Sequence, residues 1–364
     1  MKTIRFLDWP PKRYYGESHL FHRWKRQLAQ RGYKVELCYD HLQPKLQNSE
    51  CLIIHSRYFK EWQHLPTRNP QNEDALLGWL QQCKKGVGQL IWFDAADSSG
   101  SADLGLLPYI DLFLKKQLLR DRSYYTGNHP NTNLRVWLPA LLDGPALEGR
   151  PEFVTCASTD LPRIRLGWNV GLNDYRYYGY KMTKLSNFLG YKLHPLDFTD
   201  TSTPRPLDLA FRGTLHGDVN NQQQVSAQRN KIITLLQRLE RNVSAGPLRG
   251  RPAYLKELKT TKIGISPFGW GEICSRDFEN FIAGCLLVKP SMEHLETFPN
   301  FFVKDHTYIP VRWDLADLEE RLNHILDHYS EYQDIAITGQ QHFAQLSSDH
   351  EGFINHLEQA IKPL

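Results

Sequence analysis

The sequence lacks the features that mark several protein classes. No stretch approaches the ~20 apolar residues that a membrane-spanning helix needs, and residues 1–15 contain no apolar segment of a secretory signal. The six cysteines include no Cys-x-x-Cys pair, so we expect buried free thiols and neither a zinc site nor a disulfide framework. No dense run of Lys and Arg is present, and the net charge is only +4, which argues against a nucleic-acid partner. We therefore expect a cytoplasmic protein that works free or at the inner face of the membrane.

What is present is the composition of a folded protein with room for two domains. Apolar residues make up 41% and charged residues 23%, which excludes the disordered and fibrous classes. A chain of 364 residues is long for one α/β core and sufficient for two. Aromatic residues reach 12%, and they can pack a core or line a cleft for a polar ligand. Trp168, Tyr175, Tyr177 and Tyr178 either stack on sugars or pack, and packing is the favoured interpretation.

In the first part of the chain, short apolar runs alternate with segments whose apolar residues have helical spacing. A helix is predicted from Ser18, as its N-cap, to Gly32, and another over 73–83. Strands alternating with helices favour a mostly parallel sheet, so we assign residues 1–200 to one Rossmann-like domain. The predicted strands there are 3–9, 33–39, 51–54, 90–93, 112–114 and 136–138.

A second series of the same kind follows a Pro- and Thr-rich linker at 201–206. Helices are predicted with Ser226 and Asp314 as N-caps, and over 275–283 and 339–361. We assign 201–340 to a second Rossmann-like domain, and 341–364 to a C-terminal helix that crosses back to the first. The expected fold class is α/β, with two Rossmann-like domains facing a cleft. The predicted strands of the second domain are 207–211, 262–265, 286–288 and 308–311.

Residues 265–279 hold the most informative pattern, a strand that ends in a Gly-rich loop and leads straight into a helix. In an open parallel sheet, ligands bind in the crevice at that edge, and a helix N-terminus suits a diphosphate. Arg276 is suited to phosphate oxygens and Glu279 to ribose hydroxyls. The alternative is an ordinary strand-loop-helix with a solvated charge pair. The candidate donor-binding residues in this stretch are Ser266, Phe268, Gly269, Gly271, Glu272, Arg276 and Glu279.

These residues carry a resemblance to a known family. Ser275-Arg276 and Glu279, followed by Gly284-Cys285 and Val288, resemble the donor-binding segment of exostosin-like glycosyltransferases, which have the GT-B architecture. Similar stretches occur in bacterial enzymes that build surface polysaccharides. Phe211-Arg212-Gly213, with Arg229 soon after, is similar to the start of the C-terminal domain of that family. The resemblance covers roughly residues 205–320 and is strongest over 266–290.

The resemblance implies a metal-independent enzyme that takes a sugar from a nucleotide-sugar co-substrate and needs no cofactor. It implies donor binding in the second domain and acceptor binding in the first. Retaining GT-B enzymes often carry two glutamates separated by seven residues. Here six residues separate Glu272 from Glu279, so retention or inversion stays open.

Candidate side chains elsewhere in the sequence follow other strand ends. Asp94 and Asp97 come after the 90–93 strand, where a carboxylate can take the proton of an acceptor hydroxyl, or simply form a turn. Glu17, in the first loop, is a second candidate base. Arg212 and Gly213 end the 207–211 strand, where Arg212 either meets the donor pyrophosphate or lies on the surface. Lys115 and Lys116 are interpreted as a solvated pair.

Together these patterns predict a hexosyl- or deoxyhexosyltransferase acting on a glycan or lipid-linked glycan, in surface polysaccharide synthesis. A non-catalytic binder of a sugar or nucleotide is the alternative. A dinucleotide-dependent oxidoreductase ranks low because no Gly-x-Gly-x-x-Gly follows the first strand.

Overall fold

The structure is a computed structural model that describes residues 1–9, 16–63, 69–129, 133–141, 153–176, 190–213, 223–247 and 249–364. Its strands are β1 Lys2–Leu7, β2 Tyr33–Cys38, β3 Cys51–His55, β4 Leu90–Asp94, β5 Leu112–Lys115, β6 Gln117–Leu119, β7 Ile164–Leu166, β8 Leu207–Arg212, β9 Val243–Gly246, β10 Thr261–Ile265, β11 Leu286–Pro290, β12 Leu295–Thr297 and β13 Ile309–Val311. Its α-helices are α1 His19–Arg23, α2 Lys25–Gln30, α3 Pro70–Gly86, α4 Leu138–Leu141, α5 Gln223–Arg238, α6 Arg251–Lys259, α7 Ser275–Ala283, α8 Leu318–Asp327, α9 Tyr329–Ser348 and α10 His350–Ala360. Short 3-10 helices lie at Gly16–Ser18, Pro44–Asn48, Ser56–Gln63, Leu104–Tyr109, Arg122–Thr126, Ser158–Arg163 and Val170–Leu172.

Two parallel sheets organise the molecule, and both have the same strand order. The first runs β2-β1-β3-β4-β5-β7 and the second runs β13-β11-β10-β8-β9, which is the 2-1-3-4-5 order of a doubly wound sheet in each case. Strands β3 and β4 are buried at every residue, as expected for strands covered on both faces. The predicted α/β class with two Rossmann-like domains is confirmed.

The strand order also locates the ligand crevices. In a 2-1-3-4-5 sheet the order reverses between the first and third strands, and ligands bind outside their carboxyl ends. The crevice of the first sheet therefore lies between β1 and β3, and that of the second between β8 and β10. The loops that follow β4 and β10 touch, because a Cβ on Gly271 would overlap the carbonyl oxygen of Asp97. The carboxyl ends of the two sheets thus face each other across a cleft, which is the GT-B architecture.

The last helix packs on the first sheet. Phe353 and Leu357 of α10 belong to the buried cluster that contains Phe21 and Trp168. Arg165, in β7, donates to the carbonyl oxygens of the last turn of α10, at 3.2 and 3.1 Å. Helix α10 therefore belongs structurally to the N-terminal half of the molecule. No helix in the described ranges is long and apolar enough to cross a bilayer.

Several predicted local features differ from the structure. Residues 136–138 are not a strand; they form a turn that leads into α4, since three apolar residues suit a buried helical turn equally well. Ser18 donates to Asp8 at 2.6 Å and makes no capping bond. Ser226 lies inside α5, and Asp317 rather than Asp314 stands before α8.

The predicted thiols and aromatic residues behave as packing groups where the structure describes them. All six cysteines are free, and four of them are buried. Trp168 and Tyr175 are buried, which confirms packing for these two. Tyr177 and Tyr178 lie outside the described residues.

Candidate functional site

The loop after β4 and the loop after β10 meet at the centre of the cleft. Gly271 lies directly on the Asp97 backbone, and any larger residue there would overlap it. Gln117 donates from its side chain to the Asp97 carbonyl at 2.7 Å. Gly271 is therefore needed for the approach of the two domains. Protein backbone occupies the space beside Gly271, and the expectation that this glycine lets a ligand approach stays a prediction.

Glu272 links the same two loops through hydrogen bonds, and its carboxylate is buried. Its carboxylate accepts from the Ser99 backbone N–H at 3.0 Å, from the Ser99 hydroxyl and from the Trp137 indole N–H at 2.9 Å. Burial opposes ionisation, but His294 and the hydrogen bonds from Ser99 and Trp137 outweigh it and lower the Glu272 pKa. The structure thus places the Glu272 carboxylate against first-domain groups, and its assignment to the nucleotide-sugar donor stays a prediction.

Removing the hydrogen bonds of Glu272 should lower the stability of the whole fold. In Glu272→Ala the Ser99 and Trp137 N–H groups stay buried without their acceptor, so the free energy of unfolding should fall by about 1.5 kcal/mol. Glu293→Ala is the matched control, because that glutamate lies in the same domain with its side chain 60% exposed. Urea unfolding of both variants measures the difference. Equal urea midpoints for the two variants would show that the hydrogen bonds of Glu272 contribute nothing to stability.

A charged network at the end of the first sheet holds two of the candidate bases. Lys116 donates to Glu17 at 3.1 Å and to Asp97 at 3.1 Å, and Arg57 donates to Asp97 at 2.6 Å. Burial opposes ionisation of both carboxyls. The Lys116 charge nevertheless lowers the pKa of Glu17, with help from His55, and the Lys116 and Arg57 charges lower the pKa of Asp97. Both carboxylates are therefore ionised at neutral pH.

Accessibility separates these carboxylates. The Asp97 side chain is 45% exposed, whereas the Glu17 side chain is 2% exposed and has His55 Nε2 at 3.6 Å from its Oε2. Asp94 is fully buried and paired with the buried Lys115 at 2.7 Å. Of these three carboxylates, the one exposed to solvent is Asp97. Asp94 stays a prediction as a base, and its carboxylate neutralises a lysine inside the domain.

No local pattern in the sequence indicates the two cations that make this network. Lys115 and Lys116 were expected to be solvated, and both are buried. Arg57 lies in the 3-10 helix after β3 and reaches Asp97 from 40 residues earlier in the chain. Lys115 pairs with Asp94, and Lys116 pairs with Asp97 and Glu17, so the three carboxylates come from two separate parts of the chain. Only the fold reveals such a pairing.

In the second domain, two arginines meet where β8 and β10 end. Arg276, in the first turn of α7, donates to the carbonyl oxygen of Arg212 at 2.8 Å. Arg229, in α5, reaches the loop after β10, and a Cβ on Gly269 would lie 3.0 Å from its Nη2. Burial and the charge of Arg276 lower the Arg229 pKa. Burial also acts to lower the Arg276 pKa, but the groups of Cys274, Tyr254, Asp277 and Glu279 outweigh it and raise that pKa.

This arginine pair suits an anion. Gly213 borders it, since a Cβ there would lie 3.7 Å from Nη2 of Arg276. Among the described residues no carboxylate forms an ion pair with Arg276. Two guanidinium groups repel each other, and a bridging diphosphate relieves that repulsion while accepting several of their N–H groups. The pair lies in the β8/β10 crevice, where the strand order places a ligand.

Arg212 and Glu279 do not join this pair. The Arg212 guanidinium is buried and bonded to Glu257 at 3.0 and 2.9 Å, and to the Ala245 carbonyl at 3.0 Å. Its side chain turns towards β9 and α6, and its contact with a donor pyrophosphate stays a prediction. Glu279 is 5% exposed and lies 2.8 Å from Arg251 Nη2, so a ribose cannot reach it while Arg251 covers it.

The remaining residues of the predicted donor-binding loop are held by hydrogen bonds to the protein interior. Ser266 donates to Asp277 at 2.5 Å, and the Phe268 N–H donates to Gln228 at 2.8 Å. Asp277 also accepts the Cys274 N–H at the start of α7 and pairs with the buried Lys289 at 2.7 Å. Ser266 and Phe268 therefore shape the loop from inside the protein. Asp277 already occupies part of the helix N-terminus that was expected to receive phosphate. In the described ranges no cluster of three His, Cys, Asp or Glu side chains suits a metal ion.

No family model and no curated protein matches this sequence. Among solved structures, it superposes on an α-glucosyltransferase in complex with UDP and a 13-mer DNA containing a central A:G mismatch, with 10% identity, all of both chains covered and a TM-score of 0.49. T4 phage BGT in complex with its UDP-glucose substrate gives 10% identity, all of both chains and a TM-score of 0.47. The Anabaena protein Alr3699/HepE in complex with UDP-glucose gives 11% identity, 99% of both chains and a TM-score of 0.42. At such scores the function of this chain has to be argued from its own residues.

Proposed function

We propose that this protein is a glycosyltransferase that moves a hexosyl or deoxyhexosyl group from a nucleotide sugar to a hydroxyl acceptor. Arg229 and Arg276 bind the donor diphosphate in the β8/β10 crevice, and Asp97 faces the acceptor across the cleft. The observation that carries the proposal is that the Arg229 and Arg276 guanidinium groups both border a ligand crevice, opposite a solvent-exposed carboxylate. The acceptor is a glycan or lipid-linked glycan in surface polysaccharide synthesis, as the exostosin-like pattern around Arg276 implies.

The proposed reaction breaks the bond between the anomeric carbon and the donor diphosphate oxygen. Negative charge then develops on the leaving diphosphate, and Arg229 and Arg276 stabilise it at fixed positions. The acceptor oxygen forms the new bond to the anomeric carbon, and its proton passes to Asp97. The two guanidinium groups supply the positive charge for the leaving group, so the reaction needs no metal ion.

A thermal-shift screen tests the donor assignment. We expect one of UDP, GDP, CMP and dTDP, or its sugar conjugate, to raise the melting temperature, because a ligand that binds only the folded state stabilises it. The shift should be unchanged in EDTA, since guanidinium groups and not a metal hold the diphosphate. Incubation of the stabilising nucleotide sugar with glycan acceptors then measures turnover.

The outcomes of this screen separate the candidate functions. A shift with transfer supports the proposed enzyme. A shift without transfer or hydrolysis favours the non-catalytic binder. No shift with any of these nucleotides contradicts the assignment of Arg229 and Arg276 to a donor diphosphate.

A further inference from the structure

Trp270 is a large aromatic side chain that the fold leaves in solvent. It is 52% exposed, and no other tryptophan is among the exposed large apolar residues of the described ranges. Trp92, Trp137 and Trp168 are fully buried, so this chain generally uses tryptophan for packing. An exposed apolar ring beside a cleft marks a surface that a partner or ligand covers.

The backbone under Trp270 is held on both sides. The Gly269 N–H donates to the Gly271 carbonyl at 3.0 Å, which closes a tight turn with Trp270 at its tip. Gly271 rests on Asp97, and the loop before Gly269 is fixed by the bond from the Phe268 N–H to Gln228. Because this turn is already constrained, its backbone loses little conformational entropy when Trp270 binds a ligand.

The two neighbours of Trp270 also fix its position in the site. Gly269 borders the Arg229 guanidinium, and Gly271 borders the Asp97 backbone. The turn that carries Trp270 therefore lies between the Arg229 guanidinium and the loop of Asp97. A ligand that bridges these two places lies beside this turn.

We propose that Trp270 is the acceptor-binding platform, and that the acceptor is a pyranose whose apolar face stacks on the indole ring. This inference rests on the proposed function. A pyranose presents C–H groups on one face and hydroxyls at its rim, which match an indole with an apolar face and one N–H donor. Trp270 thereby selects the substrate class and takes no part in bond making.

The charges around the site favour a neutral sugar over a nucleic acid. A nucleic-acid acceptor needs cations for its phosphates in addition to a stacking ring. On the acceptor side, Arg57 and Lys116 are already paired with Asp97 and Glu17. The net charge of +4 over 364 residues supplies no basic stripe.

The test measures transfer kinetics in the full-length chain. Trp270→Ala, Trp270→Phe and the control Leu42→Ala, at an exposed apolar residue of the first domain, are assayed with the nucleotide sugar identified by thermal shift. The acceptors are methyl pyranosides, malto- and cello-oligosaccharides, and a single-stranded oligonucleotide. We expect Trp270→Ala to raise the KM for a saccharide acceptor about tenfold, with Trp270→Phe intermediate, and the donor KM and thermal shift unchanged.

A second readout follows the ring itself. N-bromosuccinimide oxidises exposed indoles first, so a saccharide acceptor should protect Trp270 while the nucleoside diphosphate alone should not. Unchanged acceptor KM in Trp270→Ala, no protection by any saccharide, or an effect only with the oligonucleotide each overturns the inference. A raised donor KM overturns it as well, since the ring would then stack on the donor base. If the unmodified protein binds no nucleotide at all, the proposed function is contradicted instead. Failure of the inference and failure of the proposed function are therefore distinguishable.

Discussion

Replacing Arg276 with alanine will weaken nucleoside diphosphate binding roughly 70-fold, and Arg229→Ala will do the same. Each guanidinium contributes about 2.5 kcal/mol through charge-assisted hydrogen bonds to phosphate oxygens. The melting temperatures of the two variants without ligand separate this loss of affinity from a change in the stability of the fold. Isothermal titration with the nucleoside diphosphate that gives the thermal shift measures the loss.

Arg238→Ala is the matched control for the arginine pair. Arg238 lies on the same helix as Arg229, but its side chain is 63% exposed and paired with Glu319 at the far end of that helix. Its removal should leave nucleotide affinity within a factor of about two, as for other surface substitutions. Equal losses of nucleotide affinity in Arg238→Ala and Arg229→Ala would show that the arginine pair acts only through its general positive charge.

Asp97→Asn will lower kcat about 1,000-fold while the donor continues to bind. An amide keeps the shape of the side chain but cannot take the acceptor proton, and general-base catalysis is worth about 100- to 10,000-fold. Asp40→Asn, at an exposed aspartate of the first domain, is the control. Single-turnover rates with saturating donor and acceptor separate this loss from a change in affinity. A kcat unchanged in Asp97→Asn would remove it as the base.

The rate should also follow the ionisation of Asp97. Lys116 and Arg57 lower its pKa below the ordinary value of 3.8, so the carboxylate stays ionised as the pH falls to that value. The acid limb caused by this group must then lie below pH 3.8. Because the folded-state pKa is lowered, the stability from this network is present above pH 3.8 and is lost as the pH falls through the folded-state pKa. An acid limb centred well above pH 3.8 would point to a different base.

The sequence predicted the architecture well where local pattern decides it. The run from Thr261 through α7 to Gly284 reads as strand, loop and helix, and Gly284 ends the helix with a φ of +68° that favours glycine. Strands β6, β7, β9 and β12 were missed, and each is only three or four residues long. So short a run gives no periodicity to detect.

The site was predictable only in part, because side-chain pairing depends on residues far apart in the sequence. Position at a strand end or in its loop predicted a site role for Asp97, Glu272 and Arg212 but not their partners. Ser99, the partner of Glu272, lies 173 residues earlier, and Glu257, the partner of Arg212, lies 45 residues later. Local pattern shows that a charged residue stands near a crevice. It does not show whether another part of the protein has already neutralised it.

Helix α10 determines the order in which the two halves of the molecule can mature on the ribosome. The first sheet is synthesised early, yet Phe353 and Leu357 complete the core beside Phe21 and Trp168. That core stays open to water until residues 350–360 leave the exit tunnel. By then β8 to α9 have all emerged, so the C-terminal sheet, second in the sequence, is the first that can close. The nascent chain therefore carries an exposed aromatic surface through most of its synthesis, and chaperones that bind such surfaces have their longest access to the N-terminal half.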